Sequence, residues 1–401
     1  MMATSRVPWI LPWCLSLIWI ACLVSVANAY TALSDDTLKA LPRPGNDFDV
    51  HKGALLAPIL RPRVPGSPGS RAVLEHFVKF FQTTLPDWKI EFQNSTSKTP
   101  ATGDKEIPFV NLIASRDPPN TQPGNVGRLT LVAHYDSKLE PEGFIGATDS
   151  AAPCAMILHA IRSIDAALTK KWEAMKDDPV HELGLDEYQG IQIFLLDGEE
   201  AFVQWTEEDS LYGARSLAEH MENTVYPALS TYKSPLGAIK LFVLLDLLGE
   251  QNPNVPSYYK TTHWAYQHMA VLESRLRSLN LFKSSKQAQK DGSKKKPETE
   301  KPWLSDALKG DNEVFPPFGI GDDHVPFMKR GVDILHIIPS PFPRVWHRAE
   351  DNADHLHLDT VEDWSTIITA FAAEWLDLEG YFDKDARTSK WKGEKRKTEL
   401  I

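Results

Sequence analysis

The chain has 401 residues, 42% of them hydrophobic, and a formal net charge of −11. That length suits one large α/β domain or two smaller ones, and the acidic balance argues against nucleic-acid binding through a broad basic surface. Twelve Trp and seventeen Phe supply both a core and an aromatic-lined pocket.

Residues 1–29 read as a targeting segment. Arg6 supplies the positive start, Val7 to Val26 is apolar, and Ala27-Asn28-Ala29 fits a small-x-small cleavage site before Tyr30. The competing reading is an uncleaved anchor, because the apolar stretch approaches the roughly 20 residues that span a bilayer. Pro8, Pro12 and the Ala-x-Ala favour cleavage. Either way the expected route is the secretory pathway. The product is secreted, or held in the Golgi or ER if the segment stays. No membrane contact is expected elsewhere. Asn94-Ser95-Thr96 is an N-glycosylation acceptor on that route. Cys14 and Cys22 fall in the targeting segment, so cleavage leaves Cys154 alone and no internal disulfide can form. Its Ala-Ala-Pro-Cys-Ala-Met-Ile-Leu setting suits a buried thiol at a helix start rather than a nucleophile.

Residues 30–69 are Pro-rich with sparse periodicity and read as an arm laid on the surface. From Ser70 to Leu85, Val73, Leu74, Phe77, Phe80 and Phe81 recur at helical spacing. Strand-like runs follow at Trp88–Phe92, Pro108–Ala114, Leu129–Ala133, Ile191–Leu196, Ile239–Leu245 and Val332–Ile338. Helices are expected over Ala152–Leu168, Leu211–Met221, Tyr266–Leu279 and Thr360–Leu378. This alternation predicts an α/β fold: one domain over 70–380, with a mixed, mostly parallel twisted sheet and helices on both faces. Lys283 to Pro302 reads as a disordered Lys-rich insertion, and 381–401 as a charged tail, densest from Lys384 to Lys397.

Chemistry-bearing residues gather where the strand-like runs end, the usual place for sites in open α/β sheets. The apolar run Ile191–Leu196 passes through Asp197-Gly198 into Glu199-Glu200. Neighbouring side chains leave such a turn in different directions. One acid can therefore bind a metal while the other holds a proton beside it. Leu131–Ala133 runs into His134-Tyr135-Asp136-Ser137, and Gly146-Ala-Thr leads to Asp149 at a helix start. Leu241–Leu245 delivers Asp246, and Ile338-Pro-Ser-Pro-Phe342 leads to Trp346-His347. Taken singly, each has a plainer reading. Asp149 suits an N-cap, Asp246 a turn, His134 a loop contact and His347 an exposed loop. Asp322-Asp323-His324 suits a turn start, and Glu199-Glu200 a solvated pair. Their joint placement argues for a zinc with mixed N and O ligands and an open position for substrate.

Six stretches then become recognisable. Gly146-Ala-Thr-Asp149-Ser-Ala-Ala-Pro-Cys154-Ala-Met, Asp197-Gly-Glu-Glu200-Ala-Phe and Asp209-Ser-Leu-Tyr-Gly-Ala-Arg215 are three of them. Leu244-Leu-Asp246-Leu-Leu-Gly249, Asp322-Asp-His324-Val-Pro-Phe327 and Ser340-Pro-Phe-Pro-Arg-Val-Trp-His347 complete the set. Together they resemble the animal-type glutaminyl-peptide cyclotransferases, a branch of the zinc aminopeptidase-like folds, in the same order across about residues 45–380. The resemblance implies one Zn2+ per chain held by Asp149, Glu200 and His347. It implies Glu199 as general acid/base, with Asp246 and Asp322 as the carboxylates beside it. Trp205, Phe342 and Trp346 would line the substrate pocket. Members with a disulfide near the site pair the positions of Ala133 and Cys154, so that bridge is absent here.

The implied reaction joins the α-amine of an N-terminal Gln to its own side-chain amide carbon, releasing ammonia and leaving pyroglutamate. The implied partners are therefore peptides or proteins beginning with Gln. Two rivals stay in view. One is a two-zinc aminopeptidase, for which His134 and Asp246 join Asp149, Glu200 and His347 as ligands, so that His134 is either a second-metal ligand or a supporting residue. The other is a binding protein that has kept the fold but lost chemistry, which would predict a missing acid or His347; none is missing.

Overall fold

The computed structural model describes residues 31–175, 188–285, 300–310, 312–315 and 319–383. The targeting segment 1–29, the middle of the 283–302 insertion and the tail from 384 lie outside the described residues.

Six strands form one sheet in the order β1-β2-β4-β3-β5-β6. They are β1 (Lys89–Lys98), β2 (Glu106–Arg116), β3 (Val126–His134), β4 (Tyr188–Leu196), β5 (Ile239–Leu245) and β6 (Ile334–Ile337). β1–β2 and β2–β4 are antiparallel; β4–β3, β3–β5 and β5–β6 are parallel. The mixed, mostly parallel sheet expected from the sequence is thus present. Its central strands are nearly continuous apolar runs because helices cover both faces.

Strand periodicity sorts those runs between two cores. Leu129, Leu131 and Ala133, with Ile191, Ile193, Leu195, Leu241, Val243 and Leu245, face the larger core. That core is closed by helices α2 (Pro68–Thr84), α3 (Ala152–Met175), α5 (His263–Ser278) and α7 (Leu358–Trp375). Val132, Phe194, Leu196, Phe242 and Leu244 face the smaller one, under α4 (Tyr212–Asn223) and the short α6 (Val325–Met328). Ser67 caps α2 by accepting from the Ser70 amide, with Pro68 at the first turn. α3 is long and apolar enough to cross a bilayer by composition, but 83% of that window is buried inside the protein, as befits a core helix.

The arm is more than a surface wrap. It carries the short α1 (Asp35–Ala40), and Leu33, Leu38, Leu41, Phe48, Leu55, Leu56 and Ile59 along it are all buried in the larger core. β1 runs to Lys98, past the expected end at Phe92. Its polar half is held by the ladder to β2, from Lys89 opposite Ser115 to Lys98 opposite Glu106. α3 likewise runs on to Met175, past the expected end at Leu168. The two ends of the insertion are tied down. The Lys283 and Ser284 amides donate to Asp363 at 2.8 and 2.9 Å, and Arg277 pairs with Glu300 at 3.0 Å.

Candidate metal centre and catalytic pocket

Parallel register brings three chemistry-bearing strand ends side by side. His134 lies opposite Leu196, and Val132 opposite Leu244. The turn after β4 depends on Gly198, whose φ is 73° and whose added Cβ would lie 2.3 Å from the Phe109 ring. Asp136 pins the next step. Its two carboxylate oxygens accept from the Glu199 and Glu200 amides at 3.1 and 3.2 Å.

Asp149, Glu200 and His347 converge, each offering one ligand atom within 4.8 Å of the others. His347 Nε2 is 3.5 Å from both Asp149 Oδ2 and Glu200 Oε2. Among the described residues, the buried oxygens Asp149 Oδ2 and Glu200 Oε1 have no hydrogen-bond partner. Unsatisfied buried oxygens are costly, and a cation is one means of satisfying them. Burial, the largest influence, pushes the His347 imidazole down to about 4, so it is neutral and able to act as a ligand. One nitrogen and two carboxylates form a donor set suited to zinc. Lys138 Nζ lies 3.3 Å from Glu200 Oε2.

His134 occupies the floor beneath this group. Its Nε2 is 3.0 Å from Asp149 Oδ1 and 3.5 Å from Asp246 Oδ1, and its Nδ1 is 3.3 Å from Asp136 Oδ1. Burial disfavours the charged ring, but the three carboxylates outweigh it and hold the imidazole well above its usual range. Asp246 also accepts from the Ser150 hydroxyl. Burial pushes Asp246 up, yet His134 and Ser150 bring it below the usual carboxylate range.

Glu199 is buried with 6% of its surface exposed. Burial first, then the charges of Glu200, Asp322 and Asp323, push its carboxyl well above the usual range, against the opposing pull of His134. Asp322 is raised by burial and by Asp246, while His336, 2.7 Å away, opposes the shift. A second histidine, His324, contacts the Tyr259 hydroxyl at 2.6 Å.

Aromatic side chains form the rim. Trp346 stacks on His347 with ring centres 3.9 Å apart, and Phe342 meets Trp346 edge-on at 4.8 Å. Trp205 borders the loop bearing Asp322, since a Cβ on Gly321 would come within 3.4 Å of its ring nitrogen. Trp205 and Trp346 remain 42% and 38% exposed.

Sequence reasoning left other participants without a role. Asp136 follows His134 by two residues, a signal that was legible at the same strand end. Ser150 adjoins Asp149. His336 gave no signal, being one histidine inside an apolar strand. Arg63, fully buried, donates to the carbonyls of Gly146 at 2.9 Å and Asp149 at 3.3 Å, and to those of Tyr135 and Ile145. The arm therefore braces the loop that carries Asp149. Asp351 accepts from the Thr148 amide and hydroxyl at 2.8 and 3.0 Å, holding the same loop from the other side of the chain. Cys154 is free and buried, and burial pushes its thiol up to about 12, as expected of an inert thiol.

Residues 111–372 match peptidase family M28. A Bos taurus glutaminyl-peptide cyclotransferase-like protein is 37% identical over 336 residues, covering 82% of this chain and 77% of its own. A Boiga irregularis glutaminyl-peptide cyclotransferase is 38% identical over 328 residues, covering 80% of each. Among solved structures, Macrostomum lignano glutaminyl cyclase superposes with a TM-score of 0.66 at 28% identity, covering 88% of this chain and 98% of its own.

Proposed function

The chain belongs to peptidase family M28 and, within it, to the glutaminyl-peptide cyclotransferases, and from that premise we propose how its residues divide the work. The enzyme cyclises the N-terminal glutamine of peptides and proteins to pyroglutamate and releases ammonia. The observation that carries the residue assignment is the convergence of Asp149, Glu200 and His347, with unsatisfied buried oxygens, next to the buried Glu199.

Asp149, Glu200 and His347 hold one zinc ion, which when bound supplies Lewis acidity toward the γ-carbonyl oxygen of the substrate. Trp205, Phe342 and Trp346 fold the glutamine side chain back on its own amine and exclude water, and the intramolecular reaction needs little more than that orientation. Glu199 accepts a proton from the attacking amine and delivers it to the departing nitrogen, so that a C–N bond forms as ammonia leaves. Asp322, with Glu200 and Asp323, holds the negative surroundings that keep Glu199 basic enough for this exchange, and Asp246 acts through Asp322. His134, Asp149 and Asp246 also converge closely enough to hold a cation, so it is the likeness to glutaminyl-peptide cyclotransferases that favours His134 as a supporting residue over the two-zinc aminopeptidase reading, and zinc stoichiometry separates the two.

Residues 1–29 direct the chain into the secretory pathway, on the strength of the apolar stretch and the Ala27–Ala29 site. The test of activity uses purified residues 30–401 with a Gln-initiated dipeptide, with and without a zinc chelator, beside a Leu-initiated peptide. Chelator-sensitive pyroglutamate and ammonia, with the Leu peptide intact, are expected. Free leucine without cyclised product would move the assignment to an aminopeptidase.

A further inference from the structure

The two edges of the sheet are managed differently. β6 has four residues, all of them buried. β1 has ten, none of them buried, and among the described residues no strand pairs with its outer side. Such an edge presents unpaired backbone donors and acceptors to any passing strand. Phe92 adds an apolar contact, 47% exposed on this strand. The charges of Lys89, Glu91 and Lys98 sit toward the two ends, and the middle, Gln93 to Ser97, is uncharged.

That uncharged middle holds Asn94-Ser95-Thr96, the one Asn-x-Ser/Thr triplet in the sequence. Asn94 is exposed. Its carbonyl accepts from Gln93 Nε2 at 3.4 Å, and among the described residues its carboxamide makes no hydrogen bond. Gln93, by contrast, points to the other face, where it bonds Ser216 at 2.7 Å and Asn111 at 2.6 Å. The side chain of Asn94 therefore leaves the sheet away from α4 and into solvent, where a bulky group meets no obstacle.

We propose that Asn94 carries an N-linked glycan that shields the open edge of β1 from strand-to-strand association. The proposal rests on the secretory route assigned to residues 1–29. The donor is a polyisoprenyl-pyrophosphate oligosaccharide. A bond forms between Asn94 Nδ2 and the first sugar carbon, while the bond from that carbon to the pyrophosphate oxygen breaks. The lipid pyrophosphate leaves with the electron pair, and Nδ2 loses one proton.

The test expresses the full chain in a secreting eukaryotic culture and weighs the protein from the medium before and after peptide-N-glycosidase. A single glycan is expected to be lost, with Asp left at position 94, and Asn94→Gln and Thr96→Ala should each abolish the shift. Enzymatic removal from the folded wild-type protein, and Asn94→Gln made in parallel, should both raise the dimer and aggregate fractions in sedimentation. Turnover of a Gln dipeptide should be unchanged, because β1 lies two strands out from β4. Secreted protein starting at Tyr30 with no glycosidase shift would overturn the glycan while leaving the secretory route intact. Cytosolic protein still carrying residues 1–29, with no glycosidase shift, would overturn both. A loss of the glycan with no rise in association would overturn its shielding role.

Discussion

His134 and His347 contact different oxygens of the same carboxylate, Asp149. His134 is completely buried among Asp136, Asp149 and Asp246, and those anions make it a cation despite burial. His347 keeps 27% of its side chain exposed under Trp346, and burial drives it to about 4. The same side chain thus becomes a fixed positive charge on the floor and a neutral donor at the rim. The number of anions bonded to each ring decides which.

The sharpest test near this pair removes the buried acid that feels the charge of His134 and adjoins Glu200, the partner of His347. Glu199→Gln should lower kcat by about a thousandfold, within the range for loss of a proton-transfer group, while zinc content stays near one per chain. Near-normal kcat would sink its role. Next come the two histidines themselves. His347→Ala should lose zinc by metal analysis and stay folded. His134→Ala should instead cost about 3–5 kcal/mol in urea unfolding, since it strands buried carboxylates without their cation. If His134→Ala lost metal with no loss of stability, the comparison would fail and the two-metal reading would return.

A third histidine gives a baseline outside the site. His159 on α3 is fully buried, and burial, with Arg162 next, lowers it to about 3. Its folded value lies below its unfolded one, so the unfolded state takes up the proton first. The stability it contributes is complete above about pH 6.5 and is lost as pH falls toward 3. Unfolding free energy followed across that window should drop in the wild type and drop less in His159→Gln. The smallest effect belongs to the rim. Trp205→Ala and Phe342→Ala should each raise KM roughly tenfold with a smaller change in kcat, because they contribute binding surface rather than proton transfer.

Much of the site was legible because its residues sit at strand ends in chain order. Glu199 and Glu200 follow β4, Asp246 follows β5, and His134 closes β3. The loop residues Asp149 and His347 needed the resemblance as well, since each has a plain reading alone. The polar half of β1 escaped notice because an exposed edge strand carries no apolar alternation. The arm escaped because its buried residues lack a helical or strand period, although Leu55, Leu56 and Ile59 are as buried as any in α3.

By itself, the sequence determined the central strands, the covering helices and the family. Continuous apolar runs and long motifs are local patterns, and they survive without knowledge of what packs on what. Only the tertiary structure decided what Asp136, Arg63 and His336 do, and which histidine carries charge. Those properties come from partners such as Glu199 for Asp136, Asp149 for Arg63 and Asp322 for His336, brought together by folding. A buried group takes its ionisation and its bonds from whatever surrounds it in three dimensions, and no spacing along the chain encodes that neighbourhood.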